Sequence, residues 1–481
     1  MSSRLRIASV PMAVAAVVGL TLPMGIAPLA NAEPCEGAAA AAQPPPGVGV
    51  EIPSPSALPA FGSRPTGHRP AGANDEAPKP RLGQLPLAIL KALTPPRTGQ
   101  VQQQAGVVPS PQPNTTAAPP AAQAPVAQPV QPVQPAPAAA PVPAAPPGTA
   151  LVGWVTGPDS PTKTIDRFGI TGTDLGIMWD NGDPANNQVL VAFGDTYGYC
   201  GIPGDQWRYN ALFRTQDRQL ARGIEVAPGA VGNPYSGSPV WRPNLSKQII
   251  NSINYAPQEK GIIPTAGVAV GKTQYLNFMS IKNWDSNGAW TTNFSAVAAS
   301  TDNGEHWGVY PGTVRTPGAG NENFQQGAFL RPGPGDPYLY SFGTPAGRSG
   351  AAFVSRVQPG LVPDLTRYEY WNADNQSWVP GNPAAATPVV PGPVGEMSAQ
   401  YNTYLRQYLM LYCNGANDVV MRTSPAPQGP WGPEQMLVRS SDIPGGIYAP
   451  FLHPWSVGKE LYYNLSLWSA YNVMLMKTVL P

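Results

Sequence analysis

The sequence predicts an all-β protein, a five-bladed β-propeller preceded by a signal peptide and a disordered Pro/Ala-rich tether. Two observations predict it. A degenerate three-strand pattern recurs five times after Thr171, and core-forming residues fall away before about residue 150. Each unit opens with a short apolar segment, at 174–177, 265–268, 325–328, 396–399 and 448–451. An aromatic and aliphatic strand follows: LVAFGDT (190–196), YLNFMSI (275–281), YLYSFGT (338–344), YLMLYCN (408–414) and YYNLSLW (462–468). The third strand ends in small or basic polar residues: ALFRT (211–215), AVAAST (296–301), AFVSRV (352–357), VVMRTS (419–424) and VMLMKT (473–478). Self-similarity at a period of tens of residues marks a repeat architecture, and five units of three or four strands match five blades. The units are spaced more widely than the commonest propeller repeats, so long loops must sit on some blades.

The chain divides into residues 1–32, 33–149 and 150–481. The first part carries Arg4 and Arg6, then an apolar stretch, then Ala30-Asn31-Ala32, the layout of a secretory signal peptide with its cleavage site. A transmembrane anchor is the alternative, but Gly19, Pro23, Gly25 and Pro28 interrupt the apolar run. The expected location is therefore outside the cell or in its envelope. Residues 33–149 are dominated by Pro, Ala and Gln, which leaves few side chains for a core and favours an extended tether. Leu85 to Leu93 (LPLAILKAL) forms one apolar island there, long enough for two helical turns that could dock on the propeller.

With a net charge of +1 and only 12% charged residues, nothing suggests a nucleic-acid partner. The 12 Trp and 19 Tyr suit an uncharged polyhydroxylated ligand, although most aromatics in a β-protein fill sheet faces. With three histidines and no C-x-x-C, neither a metal site nor another cofactor is expected. Cys200 and Cys413 fall near strand ends in units one and four and could pair in an exported protein.

There is no G-x-S-x-G elbow for a serine nucleophile. Residues 300–307 fit the S-x-D-x-G-x-x-W Asp-box hairpin, which makes Asp302 a turn residue, and His453 reads as a core or rim residue. Carboxylates are the better candidates. Asp174 and Glu396 open the first strands of units one and four, where the other units carry Thr265, Gln325 and Tyr448. Asp195 ends an otherwise apolar strand directly after Gly194, and a buried carboxylate is costly unless paired or used. The plainer readings are a turn cap for Asp174 and Asp195 and a rim charge for Glu396. Asp183, Asp205, Asp217 and Asp285 read as solvated loop residues. Innermost strands of a propeller converge on its axis, so such carboxylates can meet there. Two carboxyls on one cleft, one protonated and one ionised, are the minimal equipment for glycoside hydrolysis. Tyr197, Tyr199, Trp207 and Tyr448 lie near these residues as possible sugar platforms. Arg214, Arg348, Arg356 and Arg422 read as surface residues at strand ends, which argues against a sialidase-type carboxylate-binding cluster.

The segments TDLGIMWDNG (173–182), AFGDTYG (192–198), GEMSAQYN (395–402) and GIYAPF (446–451) resemble a secreted actinobacterial family, glycoside hydrolase family 183, formerly a domain of unknown function. The resemblance covers residues 150–481. It implies a five-bladed propeller and endo-acting hydrolysis of α-linked D-arabinofuranose chains in cell-wall arabinogalactan and lipoarabinomannan. It also implies that the family's paired aspartates correspond to Asp174 and Asp195; Glu396 is assigned from its place in the repeat alone. The competing expectation is a non-catalytic propeller that binds wall polysaccharide from a proline-rich stalk.

Overall fold

The structure, a computed structural model, describes residues 148–199, 206–285 and 288–481. The signal peptide, the tether with its island, Cys200 and Asp205 lie outside the described residues, and so does the Cys200–Cys413 pairing; Cys413 itself is buried.

Five antiparallel sheets form the blades. Blade one consists of Gly172–Asp180, Val189–Tyr197 and Ala211–Thr215. Blade two consists of Gly261–Val270, Thr273–Asp285, Ala289–Ser300 and Gly308–Val309. Blade three has Gln326–Leu330, Leu339–Thr344, Phe353–Val357, Glu369–Asn372 and Ser377–Pro380. Blade four has Met397–Asn402, Gln407–Cys413, Val419–Ser424 and Gln435–Val438. In blade five, Ile447–Leu452, Glu460–Leu467 and Asn472–Val479 are joined by Thr149–Trp154 from the start of the described chain. The fold is thus the five-bladed propeller that the repeat predicts, and each of the fifteen repeat segments falls on a strand of its expected blade to within one residue.

The closing strand is what the repeat does not show. Thr149–Trp154 pairs antiparallel with Asn472–Val479, so first and last elements share one blade and the ring is closed by backbone hydrogen bonds. The pairing covers the edge of Asn472–Val479 and moves the outer edge of the blade to Thr149–Trp154.

Apolar faces of adjacent blades pack together to make the core. The largest cluster joins Trp179, Leu190 and Leu212 of blade one to Leu276, Phe278 and Phe294 of blade two. Gly267 permits this contact, since a Cβ there would fall 2.1 Å from the Trp179 ring. The Asp-box reading of Asp302 holds: its Oδ1 accepts from the His306 backbone N–H at 2.9 Å and from Ser300 Oγ at 2.7 Å.

The five innermost strands run in the same sense along the axis. Their first residues surround one face of the ring, here the entry face, and their last residues surround the exit face. Asp174, Asp195 and Glu396 belong to the entry face. Thr149 pairs with Thr478 beside the start of the Glu460–Leu467 strand, so the chain comes in from its N-terminal region at the exit face.

Candidate active site

The first strand of blade one is bent where it carries Asp174. Its register with Val189–Tyr197 shifts on both sides of Leu175, and Leu175 has a φ of 69°. For a bulky residue this left-handed conformation is an outlier of the kind that collects at functional sites. The bend turns Asp174 across the second strand. A Cβ on Gly194 would fall 2.4 Å from Asp174 Oδ1, so that carboxylate rests on the residue beside Asp195. On its other side, Tyr448 of blade five donates its hydroxyl to Asp174 Oδ2 at 3.0 Å.

Asp195 is positioned from behind. Thr196 and Arg208 exchange backbone hydrogen bonds of 2.9 and 2.8 Å, which presents Trp207 to Asp195. The indole Nε1–H donates to Asp195 Oδ1 at 2.9 Å. Arg208 is fully buried, and its guanidinium donates to the carbonyls of Gly169 and Ser246 at 2.7 and 2.8 Å. Burial draws its pKa down to about 9, a sign of how dry the supporting layer is.

Glu396 has a different partner. Arg348, in the loop between the second and third strands of blade three, holds it in a bidentate pair of 3.0 and 2.5 Å. Burial alone would lower the Arg348 pKa, but the Glu396 charge more than offsets it and leaves the guanidinium above its ordinary value. The same guanidinium lies 4.8 Å from the Trp290 ring and 5.4 Å from the Tyr448 ring. Tyr448 is pushed well above an ordinary phenol by burial first and then by Asp174.

Asp174, Asp195, Glu396 and Arg348 line one pocket with Trp284 and Trp290. It is narrow, with about 30 Å³ open to water. Space of that order holds about one or two waters and no sugar ring.

The aromatic expectations need correction. Tyr197 and Tyr199 are 5% and 1% exposed. Tyr197 packs edge-on against Tyr471, and Tyr199 donates to the Ile165 carbonyl, so neither offers a ring to the cleft. Trp207 and Tyr448 are buried as well and act through their polar ends on the carboxylates. The apolar alternation that brought these rings to notice serves the core. The indoles at the pocket are instead Trp284 and Trp290, cross-strand partners at the hairpin tip of blade two. Two tryptophans flanking a short polar turn were the available signal. Arg348 and Arg214 are likewise not surface residues: both are buried, and Arg214 pairs with Glu305 at 2.8 Å. Asp183 is buried and paired with Lys272 at 3.0 Å rather than solvated.

Residues 159–477 match the family described as Domain of unknown function (DUF4185). The chain belongs to that family. A curated relative of this DUF4185 protein is Notoamide biosynthesis cluster protein J' of Aspergillus versicolor, 27% identical over 319 residues, covering 63% of this chain and 83% of that protein. Among solved structures, the Podospora anserina α-L-arabinofuranosidase in complex with cellotriose is 12% identical with a TM-score of 0.38, covering 68% of this chain and 97% of that one. The GH43_1 enzyme of Xanthomonas citri complexed with xylotriose is 13% identical with a TM-score of 0.36, covering 64% and 87%.

Proposed function

We propose that this DUF4185 protein is an exported glycoside hydrolase that cleaves internal α-D-arabinofuranosyl linkages of cell-wall arabinogalactan and lipoarabinomannan. The observation that carries the reading is the meeting of three carboxylates in one narrow pocket, each with a different kind of partner. The motifs around Asp174, Asp195, Glu396 and Tyr448 supply the substrate class through their resemblance to endo-D-arabinanases, and the N-terminal sequence supplies export.

The partners divide the labour. Glu396 has both carboxylate oxygens engaged by the Arg348 guanidinium, which commits it to that partner. An indole N–H only donates, so Trp207 favours the ionised form of Asp195. A tyrosine hydroxyl can donate to a carboxylate or accept from a carboxylic acid, so Tyr448 tolerates both forms of Asp174. Asp174 is therefore the proton donor. As the bond from the anomeric carbon to the leaving oxygen breaks, that oxygen takes the Asp174 proton. Asp195 either takes a proton from the attacking water or attacks the anomeric carbon itself. Because the pocket is too small to enclose a terminal sugar, the chain lies across its mouth, which suits internal cleavage.

Incubation of the exported protein with mycobacterial-type arabinogalactan, followed by product sizing, tests the reading. A ladder of arabino-oligosaccharides is expected. Asp174→Asn and Asp195→Asn should each lower turnover by at least about 10²–10⁴-fold while polymer binding persists. Binding without release by the unaltered protein would instead establish a wall-binding propeller.

A further inference from the structure

A second and larger cavity, about 460 Å³, opens towards the exit face and shares Thr265, Met397 and Phe451 with the carboxylate pocket. Its walls are residues of the five innermost strands, from Met397 at the start of one to Asp180 and Leu452 at the ends of others, together with the loops 331–334 and 454–457. Met178, Val268, Phe329, Met397, Tyr401 and Val457 give it a mainly apolar lining. Of the polar side chains in the wall, Asp180, Ser398 and Gln400 are already engaged, and Arg331 adds a guanidinium. Asp180 accepts from the Gly182 backbone N–H, Asn187 and Trp455. Ser398 donates to the Pro450 carbonyl and Gln400 to the Ser456 carbonyl. An occupant would gain chiefly by burying apolar surface, and the size is within the range of ligand sites.

We propose that this cavity is the docking site for the chain's own apolar island, Leu85 to Leu93. Three observations converge on that occupant. The chain joins the propeller at the same face: the Val479 backbone N–H donates to the Gly148 carbonyl at 3.1 Å, and that of Leu480 to Lys459 at 2.9 Å. Lys459 ends the loop that contributes Pro454 and Val457 to the cavity wall, so the point of attachment and the cavity mouth are neighbours. Leu85 to Leu93 is the one dense apolar run in a stretch otherwise dominated by Pro, Ala and Gln.

The linker permits it. Residues 94–147 number 54, and at about 3.1 Å per residue a Pro-rich chain of that length has a contour far longer than the distance to the cavity mouth. Docking there would reach Thr265, Met397 and Phe451, which also line the carboxylate pocket.

Hydrogen–deuterium exchange on the full exported chain tests this, beside a Leu87→Asp/Leu90→Asp variant. These substitutions lie outside the propeller and leave its core intact. Docking predicts amides of 85–93 exchanging at least about tenfold more slowly than an unstructured chain. It also predicts that peptides spanning 328–334 and 397–401 exchange faster in the variant than in the unaltered chain. Free exchange of 85–93 with no difference at the cavity overturns the proposal. So does cavity protection that grows with protein concentration, which would make a second copy the occupant. A small apolar molecule found bound by native mass spectrometry in both chains would overturn it as well.

Discussion

A methyl group on Gly194 would fall 2.4 Å from Asp174 Oδ1, so Gly194→Ala must push that carboxylate aside. Misplacing a catalytic group by about an ångström costs on the order of 10²-fold, and kcat of this variant should fall by about that much with the fold retained. The partners of the two aspartates give separable pH effects. Tyr448→Phe removes a donor to the Asp174 carboxylate, which raises the pKa of the acid and moves the alkaline limb of kcat/KM to higher pH. Trp207→Phe removes a donor to Asp195, which raises the pKa of the base and moves the acidic limb to higher pH. A hydrogen bond to a charged group is worth about 1.5–3 kcal/mol, so the Trp207→Phe shift should reach about one to two pH units, and the Tyr448→Phe shift should be smaller because the hydroxyl serves both forms of Asp174. Limbs that move the other way round would exchange the two roles. Asp174, Asp195 and Glu396 were legible because each interrupts or opens an apolar strand. Arg348 was not, because it sits in a loop and its partner lies 48 residues further along. Strand pattern says nothing about that pairing.

Strand pattern did carry the blades, because the apolar second strand of each unit is buried on both faces and cannot be mistaken for a loop. Elements whose role depends on a distant partner left less trace. Thr149–Trp154 directly follows the Pro-rich stretch, and only its register with Asn472–Val479 shows that it closes the ring. A chain beginning at Gly148 should therefore unfold in one cooperative transition by calorimetry and keep its activity on soluble substrate. One beginning at Thr156 leaves the outer edge of blade five bare, and should unfold broadly or aggregate. The Asp302 hairpin makes a contrasting case. Its carboxylate anchors the turn through Ser300 and His306 and lies outside the candidate site. Asp302→Ala should cost about 1–3 kcal/mol in chemical denaturation and leave kcat unchanged.

At the scale of the whole molecule, the junction between blades one and five gives the protein a pH-dependent stability that is separate from its chemistry. His453, in the loop that follows the first strand of blade five, is completely buried. Its backbone N–H donates to the Tyr462 carbonyl at 2.9 Å, and its Nδ1 accepts from the Trp455 backbone N–H at 3.3 Å. Trp455 in turn donates to Asp180 of blade one and lies 4.0 Å from the Arg218 guanidinium. Burial, with a smaller contribution from Arg218, lowers the pKa of His453 to about 3 from an ordinary 6.5. The neutral imidazole thus belongs to the folded state, and the unfolded chain binds the extra proton. Stability is therefore complete above about pH 6.5 and declines as pH falls towards 3, by up to about 1.4 kcal/mol per pH unit. Other groups titrate near the lower end of this window. Asp302 and Glu460, whose pKa values are lowered in the fold, add to the loss, while Glu259, raised by burial, opposes it. Comparison with His453→Gln separates them, because those carboxylates are common to both proteins. The variant should be less stable at pH 7 yet lose less on acidification, so the two unfolding free energies converge between pH 6.5 and 4.5. Parallel lines across that interval would mean that His453 takes up its proton without leaving the fold.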